Sequence, residues 1–433
     1  MTETRIVERI GPLFGANRFA RQVGMVAGGT ALGQGIILLG APALTRLYHP
    51  ADFGVFAIYS SLLFTFSVVV SLRFDLAVLL PADDGEAAAV LRLSRRTAIV
   101  MAMLAGGALA ACAPLIARLT QTPGVQHGLW MLPLGLWGAG SFQALNAWAL
   151  RRKAFTTTAT GQVTQAFGRV ASQIGLGLAG MGPLGLLAGD AMGRAAGATA
   201  LTWQALRGGP EVKAPPPTVP LPVVAARYRR FPLLSTWGGL LTQAGLQAPP
   251  FLLAALYGPH VAGWYALGQR VVAVPTVLVG SSIAQVYLAR VSALARGDVR
   301  RVRRLFFKAA GVLFLIGLVP FGSLALAGPR LFAAVFGAPW EETGRFVQIL
   351  SGMLLVQFVV VPLSQTLHVL QRQGLQLCWD AARLVLVVGT LLWGARAGWS
   401  PHATLALFAA GVGTAYLALF GLMQVGIAGK RRA

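Results

Sequence analysis

Four arginines, Arg169, Arg194, Arg270 and Arg383, lie inside long apolar runs. A charged side chain in hydrocarbon costs at least about 2.5 to 3.5 kcal/mol, so each needs a counter-charge or a water-filled cavity. Counted from the nearer end of its run at about 1.5 Å per residue, each lies on the order of 10 to 18 Å deep, beyond easy snorkelling to the surface. Asp190 precedes Arg194 by four residues and Asp380 precedes Arg383 by three. Those spacings bring acid and base together on one helix face, so these pairs read either as buried ion pairs holding helices together or as parts of a ligand site. Arg169 and Arg270 have no acid within a helical turn. Gln162, Gln165, Arg169, Ser172 and Gln173 form one helical stripe that cannot face lipid. It faces another helix or a wet cavity, and the unpaired Arg169 favours the cavity.

Guanidinium groups match phosphate oxygens two at a time, so such a cavity calls for an anionic ligand, and a pyrophosphate headgroup would suit it. Gln34, Gln243 and Asn146 are placed either to add neutral hydrogen bonds to sugars or to tie helices to one another. No other chemistry is legible. The five histidines are scattered, and no HExxH, GxGxxG, Walker or CxxC pattern occurs, so an enzyme or ATPase site is not expected, nor a metal or cofactor. Cys112 and Cys378 sit in different apolar runs and read as small core residues. The acidic cluster Asp83, Asp84 and Glu86, beside Arg92, Arg95 and Arg96, reads as a solvated loop that opens a surface helix.

The elements that position these residues follow from composition. Of 433 residues, 56% are hydrophobic and 11% charged, which is too apolar for a soluble domain. A span takes about 20 apolar helical residues. Twelve runs qualify, at roughly 23–45, 53–72, 97–117, 129–150, 159–181, 183–206, 233–256, 261–288, 306–328, 346–370, 374–395 and 402–427. They are continuous and not alternating, which excludes a β-barrel. The formal charge of +23 invites a nucleic-acid reading, but topology explains it. With the N-terminus cytoplasmic, the outer side holds only Arg46, Arg118, Arg330, Arg345 and Arg396, and nearly all other basic residues fall inside. Both termini are therefore expected in the cytoplasm, with no nucleic-acid partner.

The chain also repeats itself. The stretch Leu44 to Ala57 returns at Leu253 to Ala266, with Tyr48 answered by Tyr257 and Gly54 by Gly263, since 257 − 48 and 263 − 54 both equal 209. Gln34 and Gln243 share that offset. Gln143, Leu145 and Asn146 are answered by Gln365, Leu367 and His368, 222 residues on. The expected architecture is all-α and integral to the membrane: about 12 transmembrane helices as two parallel six-helix repeats around a central cavity. Its parts are a cytoplasmic segment at 1–22, an N-lobe at 23–206, a Pro-rich cytoplasmic linker at 207–232, a C-lobe at 233–427 and a basic tail at 428–433. Residues 1–22 suit either an anionic leaflet or a disordered tail, and Arg296 to Lys308 reads as a basic surface helix on anionic lipid.

Three motifs carry a family resemblance: Leu44-Thr45-Arg46-Leu47-Tyr48 with Pro50 and Asp52-Phe53-Gly54; Ser71 to Pro81, containing Arg73 and Asp75; and Gln143 with Asn146, Trp148, Arg151-Arg152-Lys153 and Phe155. Gly263, Tyr265-Ala266-Leu267 and Arg270 add a fourth, looser one. The chain resembles the polysaccharide or oligosaccharide (O-antigen type) flippases of the multidrug/oligosaccharidyl-lipid/polysaccharide exporter superfamily. The resemblance implies a bacterial inner-membrane carrier that moves undecaprenyl-pyrophosphate-linked oligosaccharide from the cytoplasmic to the periplasmic leaflet. The product would feed O-antigen and lipopolysaccharide, capsule or exopolysaccharide synthesis, with a polymerase and chain-length machinery as partners. Arg46, Arg73 and Arg270 match motif positions. No cation site is legible, so Asp75, Asp190 and Asp380 stand as candidates for linkage to a proton or sodium gradient. Arg46, at the outer end of its helix, could meet a departing headgroup or simply snorkel. A multidrug exporter of the same superfamily would want acids for cationic drugs, against the excess of buried arginine. A membrane polymerase or ligase would need a longer outer loop than 329–345, and a structural membrane subunit would not need unpaired arginine at depth.

Overall fold

The structure is a computed structural model that describes residues 15–207, 209, 212–280, 283–284, 287–288, 290–291, 299–369 and 373–429. The start of the 1–22 segment, Arg296 of the basic helix and the tail from 430 lie outside the described residues. Among the described residues the chain is helical, with no strand. Its long helices are α1 (Gly15–Leu47), α2 (Pro50–Val70), α3 (Asp84–Ala111), α4 (Leu132–Arg151), α5 (Phe155–Leu178), α6 (Pro183–Arg207), α7 (Thr236–Tyr257), α8 (Pro259–Pro275), α9 (Val299–Phe336), α10 (Glu341–Leu363), α11 (Gln373–Arg396) and α12 (Pro401–Gly429).

Local chemistry fixes the starts of several. Pro50 opens α2, where its missing N–H costs nothing, and the Asp52 carboxylate accepts the His49 N–H at 2.9 Å. Asp83 caps α3 by accepting the Glu86 N–H at 2.9 Å. Gly258, at a φ of 86°, makes the turn from α7 into Pro259 and α8.

Every expected apolar run overlaps a helix. Among the described residues six helices are long and apolar enough to cross a membrane, or seven if α3 and its continuation Ala113–Leu119, bent by 56°, form one span. The helices α4 to α8 fall short in length or apolarity, because Gly, Ala, Thr and Gln take the place of large apolar side chains. Their surroundings explain this: α5 and α6 pack through small residues, and α7 and α8 line a cavity whose wall includes Gln247, Gln269 and Arg270.

Helix α1 packs on α5, α5 on α6, α3 on α4, α4 on α6 and α2 on α4. Six helices later the pairs are α7 on α11, α11 on α12, α9 on α10, α10 on α12 and α8 on α10. The two sets meet chiefly through α2, which lies against α7 and α8. At one end the junction is tight: Phe53 meets Trp340 edge-on at 4.8 Å, and the Trp340 indole donates to the Thr45 carbonyl at 3.2 Å.

Two expectations change. Cys112 and Cys378 are exposed, not in the core; an apolar thiol meets no penalty on a face turned to lipid. The acidic cluster opens α3 as expected but is not a free solvated loop. Asp84 binds Arg151 at 2.9 Å and also pairs with Arg152, while Glu86 binds Arg227 at 2.6 Å. The Pro-rich segment is drawn onto this end of the first six helices. Trp148 donates to the Val212 carbonyl at 2.7 Å, Thr218 bonds Asp83 at 3.1 Å, and Tyr228 bonds Glu86 at 3.1 Å.

Candidate functional site

Between the two helix sets lies a cavity of about 440 Å³. The first set contributes Gln34 of α1, Phe53 to Phe64 of α2, Arg169 of α5 and Asp190 of α6; the second contributes parts of α7, α8, α10, α11 and α12, with Arg270 and Arg383 among them. Four of the proposed binding residues, Gln34, Arg169, Arg270 and Arg383, therefore share one wall system.

Arg169 was expected to lack an acid, and it has one. Its Nε lies 2.8 Å from Oδ1 of Asp190, whose Oδ2 accepts from Nε of Arg194 at 2.7 Å. Asp190 is 1% exposed, so two guanidiniums share one buried carboxylate. The partner came from the neighbouring helix, which one-helix spacing does not reveal. What brings them together is a ridge on α6: a methyl on Gly193 would come within 2.6 Å of Arg169 Cα, and one on Gly189 within 2.5 Å of the Gln173 side chain. The polar stripe on α5 is thus mostly helix contact and not cavity wall. Gln162 accepts from Thr30 of α1 at 2.7 Å, and Gln173 donates to the Leu186 carbonyl of α6 at 2.9 Å. Of that stripe, only Arg169 lines the cavity.

Arg194 stands behind Asp190, with its guanidinium 4.9 Å from the Phe64 ring. Arg383 is 3.6 Å from Asp380, too long for a strong hydrogen bond, and sits 5.3 Å from the Trp379 ring. Arg270 is different. Its Nη1 and Nη2 are both shut off from solvent and hydrogen-bond to nothing in the protein. Four arginines against two carboxylates leave two positive charges uncompensated around the cavity, and both Arg270 Nη nitrogens, with Nε of Arg383, are donors already idle.

A sequence profile described as "Polysaccharide biosynthesis protein" matches residues 43–345. The chain belongs to that family. No curated protein matches it by sequence alone. In fold, this polysaccharide biosynthesis protein is similar to an inward-facing multidrug resistance MATE family transporter of the MOP superfamily, at 15% identity, 94% of this chain, 96% of the other and a TM-score of 0.67. It is similar to the eukaryotic MATE transporter AtDTX14, at 15% identity, 96% and 98% coverage and a TM-score of 0.63. A third similar structure is a MOP superfamily transporter from Pyrococcus furiosus, described as having a binding pocket of reverse polarity, at 13% identity, 95% and 96% coverage and a TM-score of 0.59. The family member described here is a multi-pass membrane protein with the fold of these transporters.

The remaining proposed residues lie off the cavity. Arg46 is exposed at the end of α1. Arg73 adopts a left-handed φ of 61° in the turn after α2, and its Nη2 would stand 2.2 Å from a methyl on Gly239 of α7. Asp75, buried in that turn, accepts from the Ser71 hydroxyl at 2.5 Å. Gln243 and Asn146 do not line the cavity, and Asn146 Oδ1 is buried without a partner. Spacing missed several lining residues: Gln247, one turn beyond Gln243, Gln269 beside Arg270, Gln357, and Tyr265 and Tyr416. Gln269 donates to the Tyr265 hydroxyl at 2.9 Å, so part of the wall is a preformed polar network. The legible signals for these were the adjacency of Gln269 to Arg270 and the place of Tyr265 in the same motif.

Proposed function

We infer that this protein carries an undecaprenyl-pyrophosphate-linked oligosaccharide from the cytoplasmic to the periplasmic leaflet of a bacterial inner membrane. The observation that carries the reading is Arg270, a buried guanidinium with two unused nitrogens on the wall of a cavity with excess positive charge. A diphosphate would accept from Arg270 and draw on Arg383, whose hold on Asp380 is loose. The cavity volume is in the range for a drug-sized ligand, so it would hold the headgroup and first sugars while the polyprenyl tail stays in the bilayer. Family membership supports a glycan as cargo.

In this reading the two helix sets are six-helix lobes, residues 23–206 and 233–427, with both termini cytoplasmic. The repeated pairing pattern supports it. The tight junction at Thr45, Phe53 and Trp340 supports a cavity closed to the periplasm, and rocking of the lobes would reopen it there. No covalent bond changes. A proton or sodium gradient is the energy source we propose. Asp75 is remote from the cavity's arginines and Asp190 is held on both oxygens, whereas Asp380, though not itself on the wall, is loosely paired with the lining Arg383, which makes it the coupling carboxylate we propose. O-antigen, capsule or exopolysaccharide synthesis, with its polymerase and chain-length machinery, is the proposed destination.

The test is transfer of lipid-linked oligosaccharide in proteoliposomes. The protein should translocate it, and Arg270→Ala should abolish transfer while Arg270→Lys restores only part, because lysine lacks the planar fork. Full transfer by Arg270→Ala would sink the role of Arg270. Efflux of cationic dyes with no glycan transfer would instead favour multidrug export, the function named for the similar MATE transporter.

A further inference from the structure

A second cavity, of about 310 Å³, lies between the first six helices and the docked linker, away from the one between the lobes. Helix α3 and the end of α6 form its sides, α4 its floor, and the docked linker its rim. Arg92, Arg95 and Arg96, within little more than one turn of α3, face it, with Lys213 of the linker opposite. Arg95 is aimed: its Nη2 donates to the Thr202 hydroxyl of α6 at 3.3 Å, and that hydroxyl donates onward to the Ala198 carbonyl at 2.7 Å.

Among the described residues, none of these four cations pairs with a carboxylate. Among the described residues the nearby acids are committed elsewhere: Asp84 to Arg151 and Arg152, Glu86 to Arg227 and Tyr228, and Asp83 to Thr218 and the α3 cap. Four positive groups around one concavity repel one another unless an anion joins them.

The walls give the anion's character. Beyond the arginines the lining turns apolar at Ile99, Trp137 and Leu206, and the same face of α3 continues outward through the exposed side chains Val100, Met103 and Leu104. A cationic end that runs into an exposed apolar strip fits a phosphate bearing a hydrocarbon chain. We propose that this groove binds the phosphodiester headgroup of an anionic membrane lipid, with Arg92, Arg95, Arg96 and Lys213 on the phosphate and one acyl chain along Ile99 and Trp137. The site is distinct from the cavity between the lobes and does not depend on what that cavity carries.

The test uses the full chain, delipidated in detergent and titrated with phosphatidylglycerol, phosphatidylcholine or inorganic phosphate under native mass spectrometry. Phosphatidylglycerol should bind saturably and at least about 10-fold tighter than phosphatidylcholine. The triple variant Arg92→Gln, Arg95→Gln, Arg96→Gln should lose that preference, whereas Arg118→Gln with Arg396→Gln, exposed elsewhere on the fold, should keep it. Should the triple variant fail to fold, Arg92→Gln with Arg96→Gln leaves the Arg95 to Thr202 bond intact and should still weaken binding about threefold. Equal affinity for the two lipids, or an unchanged preference in either α3 variant, overturns the site. Inorganic phosphate binding as tightly as phosphatidylglycerol overturns the lipid and leaves free phosphate as the ligand.

Discussion

Gly54 and Pro259 meet where the two helix sets close: a methyl on Gly54 would lie 2.0 Å from the Pro259 carbonyl oxygen. The reverse contact also exists, since a methyl on Gly263 would lie 1.8 Å from the Pro50 carbonyl oxygen. The four positions are two repeat pairs, because 259 − 50 and 263 − 54 both equal 209. The stretch Leu44 to Ala57 and its echo in the sequence at Leu253 to Ala266 therefore touch one another at this place. Gly54→Ala or Gly263→Ala should overpack this contact by about 1 to 3 kcal/mol. A lower thermal midpoint, together with slower disulfide trapping between cysteines placed at Asp52 and His260, would show it; trapping at the normal rate would mean that the end closes without these glycines.

Asp190 is the keystone of the cationic wall. Asp190→Asn would leave Arg169 and Arg194 buried without a counter-charge, a loss of about 3 to 5 kcal/mol. Combining it with Arg169→Gln should recover part of that loss, and a double-mutant cycle on thermal unfolding would measure the coupling. Strict additivity would mean that the 2.8 Å contact carries no energy.

The linker's docking has a pH signature. The Glu86 backbone N–H, and after it the Thr218 hydroxyl, hold the Asp83 carboxyl below its usual range. A depressed folded-state value contributes stability above the unfolded value, about 3.9, and loses it as pH falls through the folded one. Linker attachment should therefore survive mild acid and weaken only below about pH 4. Thermal midpoints recorded between neutral and acid pH should show this step in the wild type and lose it in Asp83→Asn.

At neutral pH, Trp148→Phe removes the donor to Val212 and should speed tryptic cleavage at Lys213 several-fold without changing cleavage elsewhere. Cleavage at the wild-type rate would mean that the indole does not hold the linker.

Helix positions were legible because hydrocarbon demands long uncharged runs, and the pairs Asp190 with Arg194 and Asp380 with Arg383 were legible because they lie within one helix. The Arg169 to Asp190 pair was not, since it depends on how α6 glycines let α5 approach. Gln162 and Gln173 looked like cavity residues for the same reason: a polar stripe shows what a face avoids, and not which neighbour it has chosen. Arg270 was legible as unpaired, and it stays so among the described residues.

The linker's attachment changes how the two halves are joined. From Val212 to Phe231 the chain is fastened to the first six helices, and Phe231–Ser235 then runs as a helical turn straight into α7, so the halves are joined by a turn of helix and not by the whole proline-rich segment. Such a joint can bend as one half tilts against the other, yet keeps them from parting far enough for bulk lipid to flow between them on that side.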